Sequence, residues 1–330
     1  MSETILTGDI IRKTETAIQK RAGLFDDPQT DAFRLFNGFY EGCPFYSIDR
    51  YGDTAVILWM NKAARPAPDD LEKLTRVCLD RIPGIRTILL KDRFAADPSA
   101  KTGRVLSGDA PASRIREWGV PYGIDLCLNK DCGFYLDSAL LRKWLLENAR
   151  GKRVLNTFAY TGSLGDAAEA GGAAQVTQTD LNRNYLREQH STQEYISGDF
   201  FQVTSRLRHS GRLFDLIILD PPLYARTPRG AKVDMLHRSA ALINKIRPLA
   251  AHKAKIVVIN NALFLSGEEF LAEVQTLCGP YLSVSETIPV PDSFFGYVPV
   301  SAASLPADPA PFNHTTKILV LDAARKDGRE

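Results

Sequence analysis

Residues 154–162 read Val-Leu-Asn-Thr-Phe-Ala-Tyr-Thr-Gly, an apolar strand that runs into a tight Thr-Gly turn. The small, apolar stretch Leu164–Ala170 then opens a helix, and a second strand, Gln175–Thr179, ends beside the carboxylate of Asp180. In a parallel α/β sheet, this spacing of about 24 residues brings the acid to the tip of the strand next to the first one. The stretch therefore predicts a βαβ unit with a turn and a carboxylate at one edge of the sheet.

The turn lacks the spacing G-x-G-x-x-G, which lets a backbone approach a pyrophosphate. A carboxylate at the position of Asp180 can accept hydrogen bonds from the hydroxyls of a ribose. An adenosine ligand without phosphates fits this combination better than a dinucleotide, and the common one is S-adenosylmethionine. The alternative is a βαβ unit in which the aspartate at the strand end is incidental.

A second motif, Asp220–Tyr224 (Asp-Pro-Pro-Leu-Tyr), follows the continuous apolar strand Phe214–Leu219. Such a strand is typical of the buried middle of a parallel sheet, so we expect the motif at the same edge as the Thr-Gly turn. Paired prolines, Pro221 and Pro222, fix φ and withhold two N–H groups, which makes a stiff ledge for a planar group. Asp220 can accept hydrogen bonds from an amino group there, and Tyr224 can stack on a flipped-out base. The alternative is a strand-ending Pro-Pro turn with a surface tyrosine.

The composition is that of an ordinary globular protein. The chain has 330 residues, 44% hydrophobic and 24% charged, with a formal net charge of +2, and this length suffices for two domains with separate cores. No apolar run approaches the roughly 20 residues that span a bilayer, and no signal peptide is recognisable, so we expect a cytoplasmic protein. Five scattered cysteines without a C-x-x-C pair argue against disulfides and a zinc site, and we expect no metal. They are Cys43, Cys78, Cys127, Cys132 and Cys278.

The hydrophobic pattern divides the chain into an N-terminal extension (1–30), a small α+β domain (31–128) and a larger α/β domain (129–330). Strands and helices alternate in the larger domain, which predicts a seven-stranded Rossmann-like sheet with its ligand at the carboxyl ends of the strands. The seven strands are expected to begin near Val154, Gln175, Tyr195, Phe214, Lys255, Leu282 and Thr316.

Two expectations concern the boundary of the small domain. The stretch Asp97–Ser113 is rich in Gly, Pro, Ser and Ala, which predicts a loop. Val120–Leu128 and Gly133–Leu136 are predicted to form a strand pair that leads into the larger domain.

The small domain contains a mildly basic segment, Arg76–Arg116. It has nine basic and only four acidic residues by count from the sequence. Such a segment can follow a phosphate backbone, which makes this domain a candidate for RNA binding. An ordinary solvated surface explains the same charges equally well.

Taken in order, the motifs of the chain resemble those of the S-adenosylmethionine-dependent ribosomal RNA base methyltransferases. The nearest group is the bacterial 23S ribosomal RNA cytosine-C5 and guanine-N7 enzymes, with G-F-[FY]-L-D, N-x-F-[AS]-Y-T-G and D-P-P-x-[FY] in this order. The resemblance covers roughly residues 30–322. It rests on Arg34–Gly38, Asp49–Asp53, Lys91–Arg93, Gly133–Asp137, Asn156–Gly162, Asp180 and Asp220–Tyr224.

This resemblance implies a class I methyltransferase fold, S-adenosylmethionine as cofactor and RNA as substrate. It also implies a role in the site for each matching position. Asp180 would hold the ribose of the cofactor, and Asp199 its adenine amino group. The methionine end of the cofactor would be lined by Phe134, Asn156, Phe158, Tyr160, Thr161 and Gly162.

The chain departs from the family pattern in several places. The family's N-terminal RNA-binding module of the PUA kind is not expected, because only about 30 residues precede the central domain. Lys130–Cys132 replaces Gln-Lys-Thr, Ser138-Ala139 replaces Gln-Arg, and Leu181–Tyr195 is short for a helix and its connection. These changes leave open whether turnover is retained.

The last departure concerns the reaction. Cytosine-C5 methylation needs a thiolate that adds to C6 of the ring, and the family places this cysteine just after the fifth strand. The chain has Ile259–Ala262 (Ile-Asn-Asn-Ala) there. A ring or exocyclic nitrogen already carries a lone pair, so transfer to it needs mainly positioning and a site for the released proton. The sequence therefore favours methylation of a base nitrogen.

We therefore expect an S-adenosylmethionine-dependent methyltransferase that acts on a base nitrogen of RNA, and ribosomal RNA in particular. Catalytic roles are predicted for Asp220, Pro221, Pro222 and Tyr224. One alternative is a small-molecule or protein methyltransferase of the same fold. Another is a homologue that binds RNA or cofactor without turnover. The sequence does not decide between a monomer and a homodimer.

Overall fold

The computed structural model describes residues 6–63, 65–185, 193–222, 224–226, 232–234, 239–297 and 315–329, with 224–226 and 232–234 described by their backbone alone. These residues form two compact units. The first holds the described residues up to Asp137 and the segment 291–297. The second holds those from Ser138 to Val290 and from Thr315 onward. The first unit thus extends a few residues beyond position 128 and includes a segment from late in the chain.

The first unit is built on a five-stranded sheet in the order β1-β2-β3-β4-β5, in which only β3 and β4 run parallel. A separate hairpin pairs β6 with β7. The elements are α1 (Gly8–Lys20), β1 (Ala32–Asn37), β2 (Tyr46–Tyr51), β3 (Thr54–Trp59), α2 (Pro68–Arg81), β4 (Thr87–Asp92), α3 (Pro98–Thr102), β5 (Arg104–Ser107), β6 (Arg114–Glu117) and β7 (Val120–Gly123), with short 3-10 helices at Ala22–Leu24 and Asp292–Phe295.

The N-terminal segment is an integral part of this unit, in contrast to the extension predicted for residues 1–30. Helix α1 begins after Thr7, whose side chain accepts a hydrogen bond from the N–H of Ile10. Its buried residues Ala17 and Ile18 belong to the hydrophobic core of the first unit. Apart from the buried Thr14, the polar residues of α1 are exposed or half-buried, which is why its sequence alone looks like a polar lead-in.

A buried arginine joins the segment 291–297 to the rest of the first unit. Arg21 is fully buried, and its guanidinium donates to both carboxylate oxygens of Glu41 at 2.9 and 3.0 Å. The same group donates to the carbonyl oxygen of Ser293 at 2.9 and 2.7 Å. Asn37 donates from Nδ2 to the carbonyl oxygen of Phe294 at 2.8 Å. A buried charge needs such a complete set of partners, so the late segment completes the first unit.

Two predictions about the first unit are wrong. The expected loop Asp97–Ser113 contains α3 and β5, because Asp97 caps a short helix and the following residues pair with β4. Val120–Leu128 and Gly133–Leu136 do not pair with each other. Only Val120–Gly123 is a strand, its partner is β6, and Gly133–Leu136 contains none. The apolar side chains in this region are buried in a core cluster, and burial alone accounts for their pattern.

The second unit contains the predicted seven-stranded sheet, in the order β10-β9-β8-β11-β14-β16-β15. The first five strands in that order are parallel, and β16 runs antiparallel to both of its neighbours. The elements are α4 (Ala139–Asn148), β8 (Arg153–Thr157), α5 (Ser163–Ala170), β9 (Gln175–Asp180), β10 (Gln193–Ser197), α6 (Phe200–His209), β11 (Phe214–Leu219), β12 (Tyr224–Arg226), β13 (Lys232–Asp234), α7 (Ser239–Ile246), β14 (Ala250–Asn260), α8 (Gly267–Gln275), β15 (Leu282–Ile288) and β16 (Lys317–Ala323), with 3-10 helices at Leu136–Ser138 and Arg247–Leu249.

The central strands of this sheet are buried on both faces. Ile217 and Leu219 of β11 belong to one hydrophobic cluster, and Leu216 and Ile218 belong to another. A strand covered on both faces reads as a continuous apolar run, which is why Phe214–Leu219 could be predicted to the residue. Among the described residues, no helix is long and apolar enough to cross a membrane.

Candidate functional site

The carboxyl ends of three neighbouring parallel strands bring the predicted motifs together. Thr157 of β8 pairs with Thr179 of β9 on one side and with Leu219 of β11 on the other. The turn after β8, Asp180 at the end of β9 and Asp220 after β11 therefore lie at one edge of the second unit's sheet. Such an edge is where open α/β sheets bind their ligands.

The turn that follows β8 has an unusual backbone. Phe158 and Tyr160 have φ values of 55° and 52°, in the left-handed region that non-glycine residues rarely adopt, and Gly162 has φ of 92°. Thr161 is half-buried and precedes Gly162, which starts helix α5. Strain of this kind persists only where the surroundings enforce it.

Hydrogen bonds and rings around the turn supply that constraint. The N–H of Ala159 donates to the carbonyl oxygen of Thr179, and the N–H of Tyr160 donates to Oδ2 of Asp180, both at 2.9 Å. The ring of Phe158 stacks on Phe200 with centroids 4.7 Å apart. The turn is thus tied to the end of β9.

Gln178 lies directly beneath the turn. A Cβ atom on Gly162 would come within 2.8 Å of the Gln178 side chain, and one on Gly165 within 2.4 Å. A methyl group at either position would therefore collide with the glutamine unless that side chain moved, and its hydrogen bonds to Asn156 and Gln193 oppose the movement. Gln178 itself is fully buried and donates from Nε2 to Oε1 of Gln193.

Asn156 offers an unsatisfied acceptor at this turn. Its side chain is 1% exposed and donates from Nδ2 to Oε1 of Gln178 at 2.9 Å. Its Oδ1 has no hydrogen-bond partner among the described residues. A buried carbonyl oxygen without a donor is costly. A positively charged ammonium group, such as that of a methionine moiety, fits this acceptor.

The two predicted adenosine-binding carboxylates have different surroundings. Asp180 is half-buried, and its Oδ1 accepts from the N–H of Asn182 while Oδ2 accepts from Tyr160, both at 2.9 Å. Asp199 begins helix α6, where its Oδ1 accepts from the N–H groups of Phe201 and Gln202 at 3.0 and 3.2 Å. Each carboxylate retains acceptor capacity for a ligand, but Asp199 also has a structural task as a helix cap.

The motif at Asp220–Tyr224, here called the Pro-Pro ledge, begins at the same edge. Asp220 is half-buried, Pro221 is buried and Pro222 is exposed. Leu223 lies outside the described residues. Tyr224 is the first residue of β12, and its backbone pairs with Asp234 of β13. The structure describes only the backbone of Tyr224, so the stacking of its ring on a base stays a prediction.

Phe134 belongs to the first unit. Its ring is buried against Tyr122 with centroids 5.1 Å apart, and its carbonyl oxygen accepts from the hydroxyl of Tyr51 at 3.0 Å. These contacts give Phe134 a place in the core of that unit. Its assignment to the cofactor stays a prediction.

The position after β14 carries no thiol. Asn260 is buried, its Oδ1 accepts from the N–H of Ala262 at 3.0 Å, and it pairs with Lys317 of β16. The Lys317 ammonium donates to the carbonyl oxygens of Ala262 and Leu265 and so fixes the loop that follows. The sequence of the second unit has one cysteine, Cys278, which precedes β15 at the opposite edge of the sheet.

Some residues of the site are absent from the sequence predictions. Gln178 lies inside a strand, where no motif marks it. Leu181 directly follows Asp180, and Phe201 lies two residues after Asp199. Both are exposed although they are large and apolar. A large apolar residue close in sequence to each carboxylate is the signal in the sequence for a hydrophobic cover over a planar ring.

The profile of one protein family, S-adenosylmethionine-dependent methyltransferase, matches residues 60–306. The chain belongs to this family. The cofactor of the family is S-adenosylmethionine, in agreement with the prediction from the turn and Asp180. The seven-stranded methyltransferase fold predicted from the sequence is likewise confirmed.

Several curated proteins are similar to this methyltransferase. A Bacillus subtilis protein named "Putative ribosomal RNA large subunit methyltransferase YwbD" is 36% identical over 237 residues, which are 66% of this chain and 58% of that protein. Ribosomal RNA large subunit methyltransferase I of Photobacterium profundum is 30% identical over 207 residues, or 59% of this chain and 52% of that protein. The chain thus spans little more than half the length of these relatives.

Two solved structures have the same fold. The crystal structure of SMU.776 complexed with SAH has a TM-score of 0.79 and 22% identity, covering 95% of this chain and 80% of that one. A SAM-dependent methyltransferase from Streptococcus mutans has a TM-score of 0.80 and 20% identity, covering 98% of this chain and 82% of that one.

Proposed function

We propose that this methyltransferase transfers the methyl group of S-adenosylmethionine to a base nitrogen of ribosomal RNA of the large subunit. The observation that carries the proposal is the shared sheet edge, where the turn after β8, Asp180 and the Pro-Pro ledge follow adjacent strands. A cofactor-binding half and an acceptor-binding half are thereby next to each other. The substrate named by the curated relatives supports RNA as the acceptor.

Each residue of the cofactor-binding half contacts a particular part of the cofactor in this proposal. Asn156 accepts from the ammonium of the methionine moiety, because its Oδ1 has no other partner among the described residues. Asp180 accepts from the ribose hydroxyls with the lone pairs that remain beside its two backbone donors. Phe158, Tyr160, Thr161 and Gly162 form the wall of the turn, and Asp199 accepts from the adenine amino group. When bound, S-adenosylmethionine supplies an electrophilic methyl group on a sulfonium.

The Pro-Pro ledge binds the acceptor base in this proposal. Pro221 and Pro222 hold the backbone stiff, so the base nitrogen keeps its alignment with the methyl group. Asp220 accepts a hydrogen bond from the base and takes up the proton that methylation releases. Tyr224 stacks on the flipped-out base.

We prefer a base nitrogen over cytosine C5 as the acceptor because the described residues at this sheet edge include no cysteine. Within the resembled group of 23S ribosomal RNA enzymes, this supports nitrogen methylation. Cys278 lies at the other edge of the sheet, and Asn260 is the last residue of β14 and is followed by Asn261. Cys127 and Cys132 belong to the first unit, and burial raises the pKa of Cys132 to about 12 and also raises that of Cys127. Protonated thiols are poor nucleophiles. A ribosomal RNA substrate supports a reaction in the cytoplasm as part of the proposal.

The direct test is transfer of labelled methyl from S-adenosylmethionine to unmodified total RNA, followed by mass spectrometry of the nucleosides. We expect label in one N-methylated nucleoside of the large ribosomal RNA. Label in a protein or a small molecule would identify a different methyltransferase, and binding of the cofactor without any transfer would identify a homologue without turnover.

A second test addresses the chemistry. Incubation with cofactor and RNA that contains 5-fluorocytosine should give no complex that survives denaturing electrophoresis, because no thiolate is available to add to the ring. A stable complex would contradict nitrogen methylation. Its loss in Cys127→Ala or Cys132→Ala would then identify the nucleophile.

A further inference from the structure

Four consecutive residues at the end of β4 build one corner of the first unit. Lys91 is fully buried, and its ammonium donates to the carbonyl oxygens of Leu126 and Asp131. Asp92 accepts from Arg65 at 2.5 Å and from the N–H of Phe94 at 3.1 Å. Arg93 and Phe94 follow at the surface. The buried lysine thus fixes the loop that carries Asp131, while the next residues point outward.

Two aromatic rings are exposed at this corner. Phe94 is 45% exposed, and the guanidinium of Arg65 lies over its ring at 5.9 Å from the centroid. Tyr135 is 46% exposed, and its hydroxyl donates to Oδ2 of Asp131 at 3.2 Å. A single exposed aromatic ring is common on protein surfaces. Two exposed rings, one held by a hydrogen bond and the other by a cation, form a surface whose rings are already oriented for binding.

Two further cations lie on the same segments as these rings. Arg93 forms a long ion pair of 3.4 Å with Asp131, which leaves most of its donors at the surface. Lys130 is exposed on the same loop. The set of Arg65, Arg93, Phe94, Lys130 and Tyr135, here called the Phe94 surface, therefore combines stacking platforms with exposed positive charge.

We propose that the Phe94 surface binds unpaired nucleotides of RNA. Exposed aromatic rings stack on bases of any sequence, and neighbouring Arg and Lys side chains bind the phosphates between them. Paired bases in a duplex do not expose their faces, so the surface favours single strands or loops over double-stranded RNA. The proposal rests on the proposed function, because it assigns a second binding surface to the same substrate class.

The test measures binding of a fluorescent single-stranded RNA of about 12 nucleotides by the full chain, compared with the same sequence as a duplex. Phe94→Ala and Phe94→Leu should each weaken binding of the single strand by about ten-fold, since stacking is worth about 1–3 kcal/mol per base. Phe94→Tyr keeps the ring and should bind as the wild type does. Circular dichroism and thermal melting establish that each variant is folded.

Tyr281→Ala is the matched control. Tyr281 is 40% exposed in the second unit, and the ammonium of Lys326 lies 5.3 Å from its ring centroid, so it has the same kind of cation–ring pair outside the Phe94 surface. Its removal should leave RNA affinity unchanged. Arg93→Gln and Lys130→Gln should each reduce the salt dependence of binding, by about 0.7 in the logarithmic slope.

The outcomes separate this proposal from the proposed function. If the wild type methylates RNA but Phe94→Ala and Phe94→Leu bind it normally, the Phe94 surface is not an RNA site and a protein partner becomes the alternative. The proposal is also overturned if Tyr281→Ala weakens binding as much as Phe94→Ala. If the wild type neither binds nor methylates RNA, both proposals fail.

Discussion

The turn after β8 and the Pro-Pro ledge after β11 follow adjacent strands, yet they are held in different ways. The turn is fixed by hydrogen bonds from Ala159 and Tyr160 to the neighbouring strand, and by Gln178 packed beneath its glycines. The ledge relies on the fixed φ angles of Pro221 and Pro222. Under the proposed function, many hydrogen bonds hold the turn that binds the cofactor, and two prolines stiffen the ledge that receives the acceptor base.

This difference predicts that substitutions in the two regions have separable effects. Changes in the turn should alter affinity for the cofactor, and changes in the ledge should alter turnover or affinity for RNA.

The largest effect is expected at Asp220. Asp220→Ala should lower kcat by a factor of about 100 or more, because under the proposed function it removes the group that positions the base and accepts the proton. Cofactor affinity should change by much less, since Asp180 and Asn156 remain. Steady-state kinetics and calorimetry of cofactor binding measure the two quantities. Full activity in this variant would mean that the ledge is a structural turn without a catalytic role.

The next effect is expected at Asp180. Asp180→Ala should weaken cofactor binding by about 1.5–3 kcal/mol, the scale of charge-assisted hydrogen bonds. Asp180→Asn keeps an acceptor for the N–H of Tyr160 and should lose less, which separates the ribose contact from support of the turn. Calorimetry of cofactor binding gives both values. If the wild type binds no cofactor, or if Asp180→Ala binds it normally, the assignment of the turn is wrong.

A smaller effect is expected at Tyr224. Tyr224→Ala should raise the KM for RNA by an amount that corresponds to about 1–3 kcal/mol of base stacking. Tyr224→Phe should be nearly silent, because the ring remains. The comparison needs only initial rates over a range of RNA concentrations. Equal damage from both substitutions would mean that the hydroxyl group, and not the ring, does the work.

The smallest effect is expected at Asp199, which has two tasks. Asp199→Ala should destabilise the fold by about 1 kcal/mol through loss of the α6 cap. Asp199→Ser keeps the cap, since serine is an equally good first residue, but is too short for the adenine amino group. Thermal melting should therefore be restored in Asp199→Ser while a modest loss of cofactor affinity persists. Unchanged affinity in Asp199→Ser would leave Asp199 with the structural task alone.

The sequence predicted those parts of the molecule in which local pattern and burial agree. The strands of the second unit are apolar runs with helices between them, and their order along the chain leads directly to the sheet edge that holds Asp180 and Asp220. Gln178 could not be found in this way. Its importance depends on the space left by Gly162 and Gly165, which only the folded structure brings together.

The first unit shows the opposite case. The apolar residues of Gly133–Leu136 are buried by packing from several directions, so an alternating pattern that is typical of a strand arises without strand pairing. The role of segment 291–297 could not be predicted either, because one partner of Arg21, the carbonyl oxygen of Ser293, is 272 residues away in sequence. Contacts over that distance leave no local signal.

The buried bonds of Arg21 and Asn37 to Ser293 and Phe294 also determine when the first unit can be completed during synthesis. Its sheet emerges from the ribosome first, but the carbonyl groups that satisfy Arg21 are made about 150 residues later than Asp137. At a translation rate of roughly 5–20 residues per second, these partners of Arg21 are synthesised on the order of ten seconds or more after the sheet of the first unit. The first unit is therefore finished only after the sheet of the second has been almost entirely translated. A chain stopped at Asp137 would expose a charged group inside an incomplete core.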